Sequence, residues 1–144
     1  RSADSHLDFD FAVAKEQSSD NPLYYVQYGH ARICSILRQA AEQAEYDVKN
    51  CDYELLTDEY SVDLLKNLAY YPEIVAQAAK NYEPHRICNY LQILASSFHK
   101  FYNNNKVITE NKEQTQSYLA LITAVKITLR NALELIGVSA PEKM

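Results

Sequence analysis

The sequence predicts an all-α protein folded as a helical bundle. Its 144 residues contain only two glycines and four prolines, which is too little turn material for a many-stranded β protein. Good helix formers are frequent instead, and apolar residues recur along much of the chain at the spacing of one helix face. A single domain of this length buries roughly two-thirds of the surface that its unfolded chain exposes, so a hydrophobic core can hold it without a disulfide or a metal.

A domain boundary is predicted near residue 20. Residues 7–17 mix a strand-like alternation of apolar side chains with helix formers, and the pattern leaves their secondary structure open. The turn cluster at residues 18–22 then breaks the chain, and Pro22 suits the first turn of a following helix. The chain starts without a methionine and without the pattern of a signal peptide, so we expect it to be a piece of a longer protein.

A long helix is predicted from Leu23 to about Tyr46. Successive helix residues are about 100° apart, which places one apolar set on the core side: Val26, Ile33, Leu37, Ala40 and Ala44. A second set is centred about 130° or more away from the first: Tyr25, Tyr28, Arg32 and Gln39. Two tyrosines and an arginine are therefore expected to point away from the core.

Further helices are predicted over residues 58–70, 72–81 and 84–102. Thr57 is expected to cap the first, while Pro72 and Pro84 suit the first helical positions of the other two. The third carries a continuous apolar stripe: Ile87, Leu91, Leu94, Phe98 and Phe101. The asparagines at 103–105 end it, because asparagine tolerates the turn conformations that follow a helix.

The last predicted helix opens at Asn111, which forms a capping-box pair with Gln114, and closes at Gly137. One face is apolar throughout: Tyr118, Leu121, Ile122, Val125, Leu129, Ala132, Leu133 and Ile136. Lys126 and Arg130 lie off this face, so the outer side of the helix carries some positive charge.

Composition restricts the compartment and the partners. The apolar stretches are far shorter than the roughly 18 residues of a membrane span, so we expect no membrane partner. Three cysteines without a C-x-x-C pair favour reduced thiols and a cytoplasmic protein. A net charge of −5 argues by itself against a generic nucleic-acid binder, which usually presents a basic face.

Candidates for catalysis and metal binding are few. His6, Asp8 and Asp10 are the only candidate metal cluster, and carboxylates two residues apart point together only on a strand. The remaining histidines lack a paired nucleophile or carboxylate at a telling spacing, which predicts packing or surface roles: His30, His85 and His99. No glycine-rich phosphate loop occurs. We therefore predict no catalytic residue and no metal site in this chain.

The use of aromatic residues is unusual, with twelve tyrosines, four phenylalanines and no tryptophan. Tyrosine combines a flat ring with a polar tip, and unpaired bases of RNA loops stack on such rings. Most tyrosines of a bundle simply line its surface. The outward stripe of Tyr25, Tyr28 and Arg32 is the exception, because it groups two rings with a cation.

Four segments carry a family resemblance. Residues 21–33, NPLYYVQYGHARI, resemble the N-P-x-x-Y-V-Q-Y-A-H-A-R segment of arginyl-tRNA synthetases, where the class I catalytic domain meets the helical anticodon-binding domain. Residues 7–10, LDFD, are similar to the end of that catalytic domain, and residues 98–102, FHKFY, to the family's F-h-x-F-Y stretch. Residues 135–144, LIGVSAPEKM, resemble its terminal L-G-I-x-A-P-E-R-M.

The resemblance implies both domains and function. Residues 1–20 would be the last part of the catalytic domain and residues 21–144 the helical anticodon-binding domain, with Met144 at the natural end of the protein. The complete enzyme would attach arginine to its tRNA with ATP and magnesium, as a cytoplasmic monomer. This chain would dock the anticodon stem-loop and catalyse nothing alone. Residues that match the family's tRNA-binding positions are Tyr25, Tyr28, Arg32, Tyr102 and the terminal carboxylate of Met144.

Two positions depart from the family pattern. Gly29 replaces an alanine inside a helix, at a cost of roughly 1 kcal/mol, and Lys143 replaces an arginine, which weakens any bidentate phosphate contact. Because one face of a large tRNA interface needs only local positive charge, the acidic composition is compatible with the function. The candidate cations are Arg32, Arg38, Lys106, Lys126 and Arg130.

Two alternatives belong to other classes. A helical protein-interaction module without an RNA role would bind its partner through an amphipathic groove. Such binding would be insensitive to salt, whereas binding to tRNA weakens as salt rises. A small hydrolase that uses Asp8 and Asp10 would instead show metal-dependent turnover.

Overall fold

The computed structural model describes residues 11, 15–18 and 20–144. From residue 20 onward it contains four long α-helices and one short 3-10 helix: α1 (Pro22–Gln43), η1 (Tyr53–Leu55), α2 (Glu59–Asn81), α3 (His85–Asn104) and α4 (Lys112–Leu135). The prediction of an all-α helical bundle is confirmed for these residues. The candidate metal cluster of His6, Asp8 and Asp10 lies outside the described residues.

The ends of α1 and α4 follow the expected chemistry. The side chain of Asn21 accepts hydrogen bonds from the backbone N–H groups of residues 23 and 24, and Pro22 takes the first helical position. Asn111 accepts one from the N–H of Gln114. After α4, Gly137 adopts a left-handed φ of 75°, and the N–H of Val138 donates to the carbonyl of Leu133 at 2.9 Å. This pairing is the Schellman arrangement, which satisfies a carbonyl that the helix end would leave free.

The predicted break before Pro72 is wrong, because α2 continues through that proline from Glu59 to Asn81. Tertiary packing holds the two halves in line. Tyr71 stacks against Tyr90 of α3 with ring centroids 5.5 Å apart, and the Tyr90 hydroxyl donates to the Asn67 carbonyl at 3.0 Å. Beyond the proline, Ile74 packs against the core and Ala78 is buried in it, so contacts on both sides offset the backbone hydrogen bond that Pro72 removes.

Two helix starts also differ from prediction by one residue. Asp58, not Thr57, caps α2, because its carboxylate accepts from the N–H groups of Tyr60 and Ser61. Pro84 occupies the N-cap position of α3 rather than its first turn, and His85 begins the helix. Both differences are shifts of one residue. At α2, Thr57 and Asp58 are both capping residue types, so two neighbours compete for the role.

The core forms where the apolar faces of α1, α3 and α4 meet α2. All five residues of the predicted α3 stripe are buried, from Ile87 to Phe101. On α4 every predicted apolar position is buried except Ile136, which packs against the edge of the core. On α1 the predicted face is centred correctly: Val26, Ile33 and Ala40 are buried and Leu37 is half-buried. Helix amphipathicity therefore fixed the inner surfaces of the bundle.

The three cysteines form no disulfide with one another. Cys34 is buried in α1, Cys51 is half-buried before η1, and Cys88 is exposed on α3. No helix in the described part of the chain combines the length and the apolar character needed to cross a membrane.

Replacing Gly29 with alanine is expected to stabilise the fold by roughly 0.5–1 kcal/mol, because alanine is the better helix former by about that amount. A methyl group fits there. It would lie 3.5 Å from Nε2 of His99 and 3.9 Å from atoms of Ala95 and Phe98, which is ordinary van der Waals contact. Urea unfolding followed by far-UV circular dichroism measures the effect.

The matched control is Gly137→Ala, at the other glycine of the chain. Its φ of 75° is costly for a residue with a Cβ, so this change should destabilise by about 1 kcal/mol. Opposite signs for the two substitutions are the expected result. A loss of stability at Gly29 would mean that the packing of α1 on α3 cannot accept the methyl group.

Candidate nucleic-acid interface

Arg32 lies between two tyrosine rings on one side of the bundle. Tyr28 precedes it by one helical turn on α1, and Arg32 donates a hydrogen bond to the Tyr28 hydroxyl. The guanidinium carbon is 5.2 Å from the ring centroid of Tyr28 and 5.3 Å from that of Tyr102, which comes from α3. Both distances are within the range of a cation–π interaction. We call these three residues the Arg32 cluster.

The protonated form of Arg32 is stabilised by this setting. The hydrogen bond with Tyr28 raises the pKa of the guanidinium; partial burial opposes the rise, and proximity to the phenol groups of Tyr28 and Tyr102 adds to it. The cluster therefore presents a fixed positive charge between two aromatic faces.

The ring of His99 packs against the rings of Tyr25 and Tyr28. Its centroid lies 4.6 Å from that of Tyr25 and 5.9 Å from that of Tyr28, with the Tyr28 and His99 planes only 16° apart. On the outer side Tyr24 stacks on Tyr28 at 6.4 Å. A continuous aromatic layer thus runs from α1 to α3, and the Arg32 cluster lies at one end of it.

Tyr25 differs from its predicted position. It is half-buried and packs against the edge of the core and against His99, whereas the helical wheel placed it on a stripe pointing away from the core. α3 approaches this side of α1 closely enough to cover the ring in part, which a wheel of one helix cannot show. Tyr28 and Arg32 are also half-buried, but they contact the aromatic layer rather than the core.

Two grooves flank the Arg32 cluster. The tyrosine groove has a volume of about 440 Å³ and is lined by Gln17, Ser18, Tyr24, Tyr25, Tyr28, His99 and Asn103. The tail groove, of about 420 Å³, is lined by Tyr28, Ala31, Arg32, Ser35, Arg38, Glu142, Lys143 and Met144. Tyr28 belongs to both, so its ring separates an aromatic groove from a cationic one.

The segment 139–144, which we call the tail, lies along α1 and is held there by side chains of that helix. Gln27 donates to the carbonyl of Ser139 at 2.8 Å, and both terminal nitrogens of Arg38 lie 3.4 Å from the carbonyl of Glu142. Between them, Nδ1 of His30 lies 2.8 Å from the carbonyl of Pro141. These contacts bring Met144 to the groove of Tyr28 and Arg32.

His30 is the buried member of this set, with 1% of its surface exposed. A ring nitrogen at 2.8 Å from a carbonyl must carry hydrogen, so the neutral ring has its proton on Nδ1. Nε2 is then a buried acceptor without a partner among the described residues. The prediction of a packing role for His30 is confirmed by this burial. Its contact with the tail, more than 100 residues away in sequence, could not be inferred from spacing.

The candidate cations converge only in part. Arg32 and Arg38 line the tail groove together with Lys143. Lys106 and Tyr102 line a third groove. Lys126 and Arg130 are on α4 and line none of these grooves. Local positive charge therefore surrounds the Arg32 cluster although the chain is acidic overall.

Acidification is expected to weaken the fold through His99. Burial lowers the pKa of His99, the hydrogen bond to the Tyr25 backbone raises it in part, and the charge of Arg32 lowers it further. The unfolded chain therefore binds a proton more readily than the folded one, and stability is lost as pH falls below the ordinary value of 6.5.

Urea unfolding between about pH 7.5 and about pH 5.5 tests this effect, since that range covers the ordinary titration of histidine. The free energy of unfolding should fall across the range, and it should fall less in His99→Gln. Gln92→Ala, an exposed and uncharged position of the same helix, is the matched control and should keep the slope of the unsubstituted chain. An unchanged slope in His99→Gln would contradict the assignment.

Among the described residues, no group of three or more His, Cys, Asp and Glu side chains is placed to hold a metal ion.

The sequence singled out Tyr28, Arg32 and Tyr102, and the structure brings them together. It did not single out Tyr24 or His99. A signal for Tyr24 was present, since it lies four residues before Tyr28 on the same helix.

The described residues form an all-helical domain with stacked tyrosines and an arginine on one side. The chain belongs to the DALR anticodon binding domain family, which residues 26–144 match. The family resemblance drawn from the sequence is therefore confirmed, and it favours the RNA-binding interpretation over a protein-interaction module.

The chain is similar to arginine–tRNA ligases along its whole length. It is 54% identical over 144 residues to the enzyme of Staphylococcus epidermidis and 52% identical to that of Staphylococcus carnosus. The solved arginyl-tRNA synthetase of Thermus thermophilus matches 96% of the chain with a TM-score of 0.78 at 33% identity. The enzyme of Plasmodium falciparum matches 91% with a TM-score of 0.71 at 30% identity.

The chain spans about a quarter of the curated relatives that it matches, at 26% of each, and 24% and 22% of the two solved structures. The similarity thus covers a domain of those proteins.

Proposed function

We propose that this chain is the tRNA-binding domain of an arginine–tRNA ligase and that it holds the anticodon stem-loop at the Arg32 cluster. The observation that carries the proposal is the placement of Arg32 between Tyr28 and Tyr102, with an aromatic groove on one side and a cationic groove on the other. Unpaired loop bases stack on aromatic rings, and their phosphates pair with arginine.

Each residue has a distinct part in the proposed contact. Tyr28 and Tyr102 offer ring faces for bases, a contact worth ~1–3 kcal/mol per base. Arg32 supplies the charge for a phosphate or a planar face for stacking. Tyr25 forms the inner wall of the tyrosine groove, and Met144, with its carboxylate, lies at the end of the tail groove.

In this proposal, the complete protein has the activity of the family. It attaches arginine to its tRNA with ATP and magnesium, in the cytoplasm and as a monomer, and the ATP site belongs to a catalytic domain outside residues 21–144. Residues 1–20 are the last part of that domain. The 144 residues bind RNA and leave the chemistry to the rest of the enzyme.

A titration with RNA tests the proposal. The chain is mixed with the anticodon stem-loop of an arginine tRNA and with the same stem-loop carrying an altered anticodon, at low and at physiological salt. We expect preferential binding to the first RNA and weaker binding at the higher salt concentration, because phosphate contacts release counterions. Equal binding to both RNAs would contradict anticodon recognition.

Tyr28→Ala is the companion variant. Tyr28 packs against the aromatic layer rather than the core, so the change should weaken RNA binding roughly 10-fold through lost stacking and alter stability little. Tyr25→Ala is less informative, because its ring packs on the core edge and its loss also costs stability.

A further inference from the structure

A third groove extends the Arg32 cluster beyond Tyr102. It has a volume of about 440 Å³ and lies where the middle of α1, the end of α3 and the following connection meet. We call it the amide groove after its rim residues Gln39, Asn103 and Asn105; Tyr102 forms the wall that it shares with the Arg32 cluster.

The floor and the rim differ in chemistry. Ile36 and Val107 are buried beneath the groove and give it an apolar floor, with 6% and 5% of their surfaces exposed. Gln39, Asn103 and Lys106 are exposed on the rim. A nucleotide can use all three features. Its base packs on an apolar surface, the edge of the base pairs with amide groups, and its phosphate is attracted to a cation.

The rim groups are free to bind. Within the described part of the chain, the side chains of Gln39, Asn103 and Lys106 take part in no hydrogen bond or ion pair. Asn105 is different: it donates to Asp58 at 3.1 Å and accepts from the Tyr118 hydroxyl at 3.3 Å. That residue fixes the wall of the groove, and the other amides are left as donors and acceptors.

Charge favours a nucleotide over other occupants. Among the residues that the structure describes, no acidic one lines the amide groove, although the chain carries 19 Asp and Glu against 14 Lys and Arg. The groove therefore combines a local cation with unpaired amides on an otherwise acidic surface. A phosphate is attracted to such a place, and the amides can pair with the Watson–Crick edge of a base that is not stacked in a helix.

We propose that the amide groove is a second nucleotide subsite, which binds one unpaired nucleotide of the same RNA next to the base held at Tyr28 and Tyr102. Gln39 and Asn103 pair with the base edge and Lys106 pairs with its phosphate. This inference rests on the proposed function, since it needs the RNA strand to pass the Arg32 cluster.

The test uses the whole chain and the arginine anticodon stem-loop. The double variant Gln39→Ala/Asn103→Ala should bind the RNA roughly 10-fold more weakly, from the loss of two hydrogen bonds. Lys106→Gln should lower the slope of log affinity against log salt by about one. The matched control is Asn89→Ala/Gln92→Ala, which removes two exposed amides near the other end of α3 and should bind like the unsubstituted chain.

A series of stem-loops with one abasic site each then identifies the nucleotide. At one position, removal of the base should weaken binding to the unsubstituted chain but not to the Gln39→Ala/Asn103→Ala variant. The change in the RNA and the change in the protein remove the same contact, so their effects do not add. If removal of the base weakens binding equally in both proteins at every position, the proposed subsite is wrong. If Tyr28→Ala weakens binding while the double variant does not, the subsite alone fails. If the unsubstituted chain does not bind the stem-loop, both proposals fail.

Discussion

Replacing Arg32 with lysine is expected to weaken binding of the anticodon stem-loop roughly 10-fold, because the positive charge remains while the planar guanidinium is lost. The guanidinium contacts two rings at 5.2 and 5.3 Å and donates to the Tyr28 hydroxyl. An ammonium group cannot maintain all three contacts from one point. Arg32→Ala should bind the stem-loop more weakly still, by roughly 30-fold or more relative to the unsubstituted chain, because no cation then pairs with the phosphate at this position.

The measurement is a titration of each variant with the stem-loop, with urea unfolding beside it to confirm the fold. Arg130→Lys is the matched control. Its side chain is on α4 and lines none of the three grooves, and within the described part of the chain its one ion pair is a long contact of 3.9 Å with Glu134. If Arg32→Lys binds the stem-loop as tightly as the unsubstituted chain does, the site uses charge alone, and the role given to the two rings is wrong.

Loss of the tail is expected to have the second large effect. Deleting residues 141–144 removes Lys143 and Met144 from the tail groove and leaves Nδ1 of His30 with only the weak contact to Sγ of Cys34 at 3.9 Å. A buried donor left unpaired costs about 1–3 kcal/mol of stability. We also expect stem-loop affinity to fall roughly 10-fold, because the wall of the tail groove that residues 142–144 form is lost.

Substitutions of His30 separate the two effects. In His30→Asn the side-chain amide can reach the position of Nδ1 and donate to Pro141, so the tail and RNA binding should be retained in part. In His30→Gln the amide lies nearer the position of Nε2, and the tail should be released. Equal affinity in the asparagine, glutamine and truncated forms would show that the tail has no part in RNA binding.

Much of the bundle could be predicted from local chemistry. The stripe from Ile87 to Phe101 is buried as expected, and Asn21, Asn111 and Gly137 act at helix ends as their side chains or backbone freedom require. These features depend on residues within about one or two helical turns of each other. Such information is present in the order of the residues.

The failures share a different physical origin. Proline disfavours a helix interior, so Pro72 predicted a helix start, but contacts between α2 and α3 across Tyr71 and Tyr90 override that preference. The cover over Tyr25 likewise comes from another helix. A local rule gives the intrinsic tendency of one segment, and it fails where a neighbouring segment supplies more free energy.

The sequence by itself determined the helical class, the inner face of each long helix and the family to which residues 26–144 belong. It also singled out Tyr28, Arg32 and Tyr102 as candidates. Only the tertiary structure decided that Arg32 lies between two rings, that His30 holds the tail and that an amide groove lies beyond Tyr102. Helix faces follow from a period of 3.6 residues, whereas the contacts of Arg32 with Tyr102 and of His30 with Pro141 join residues 70 and 111 positions apart and depend on how the segments pack.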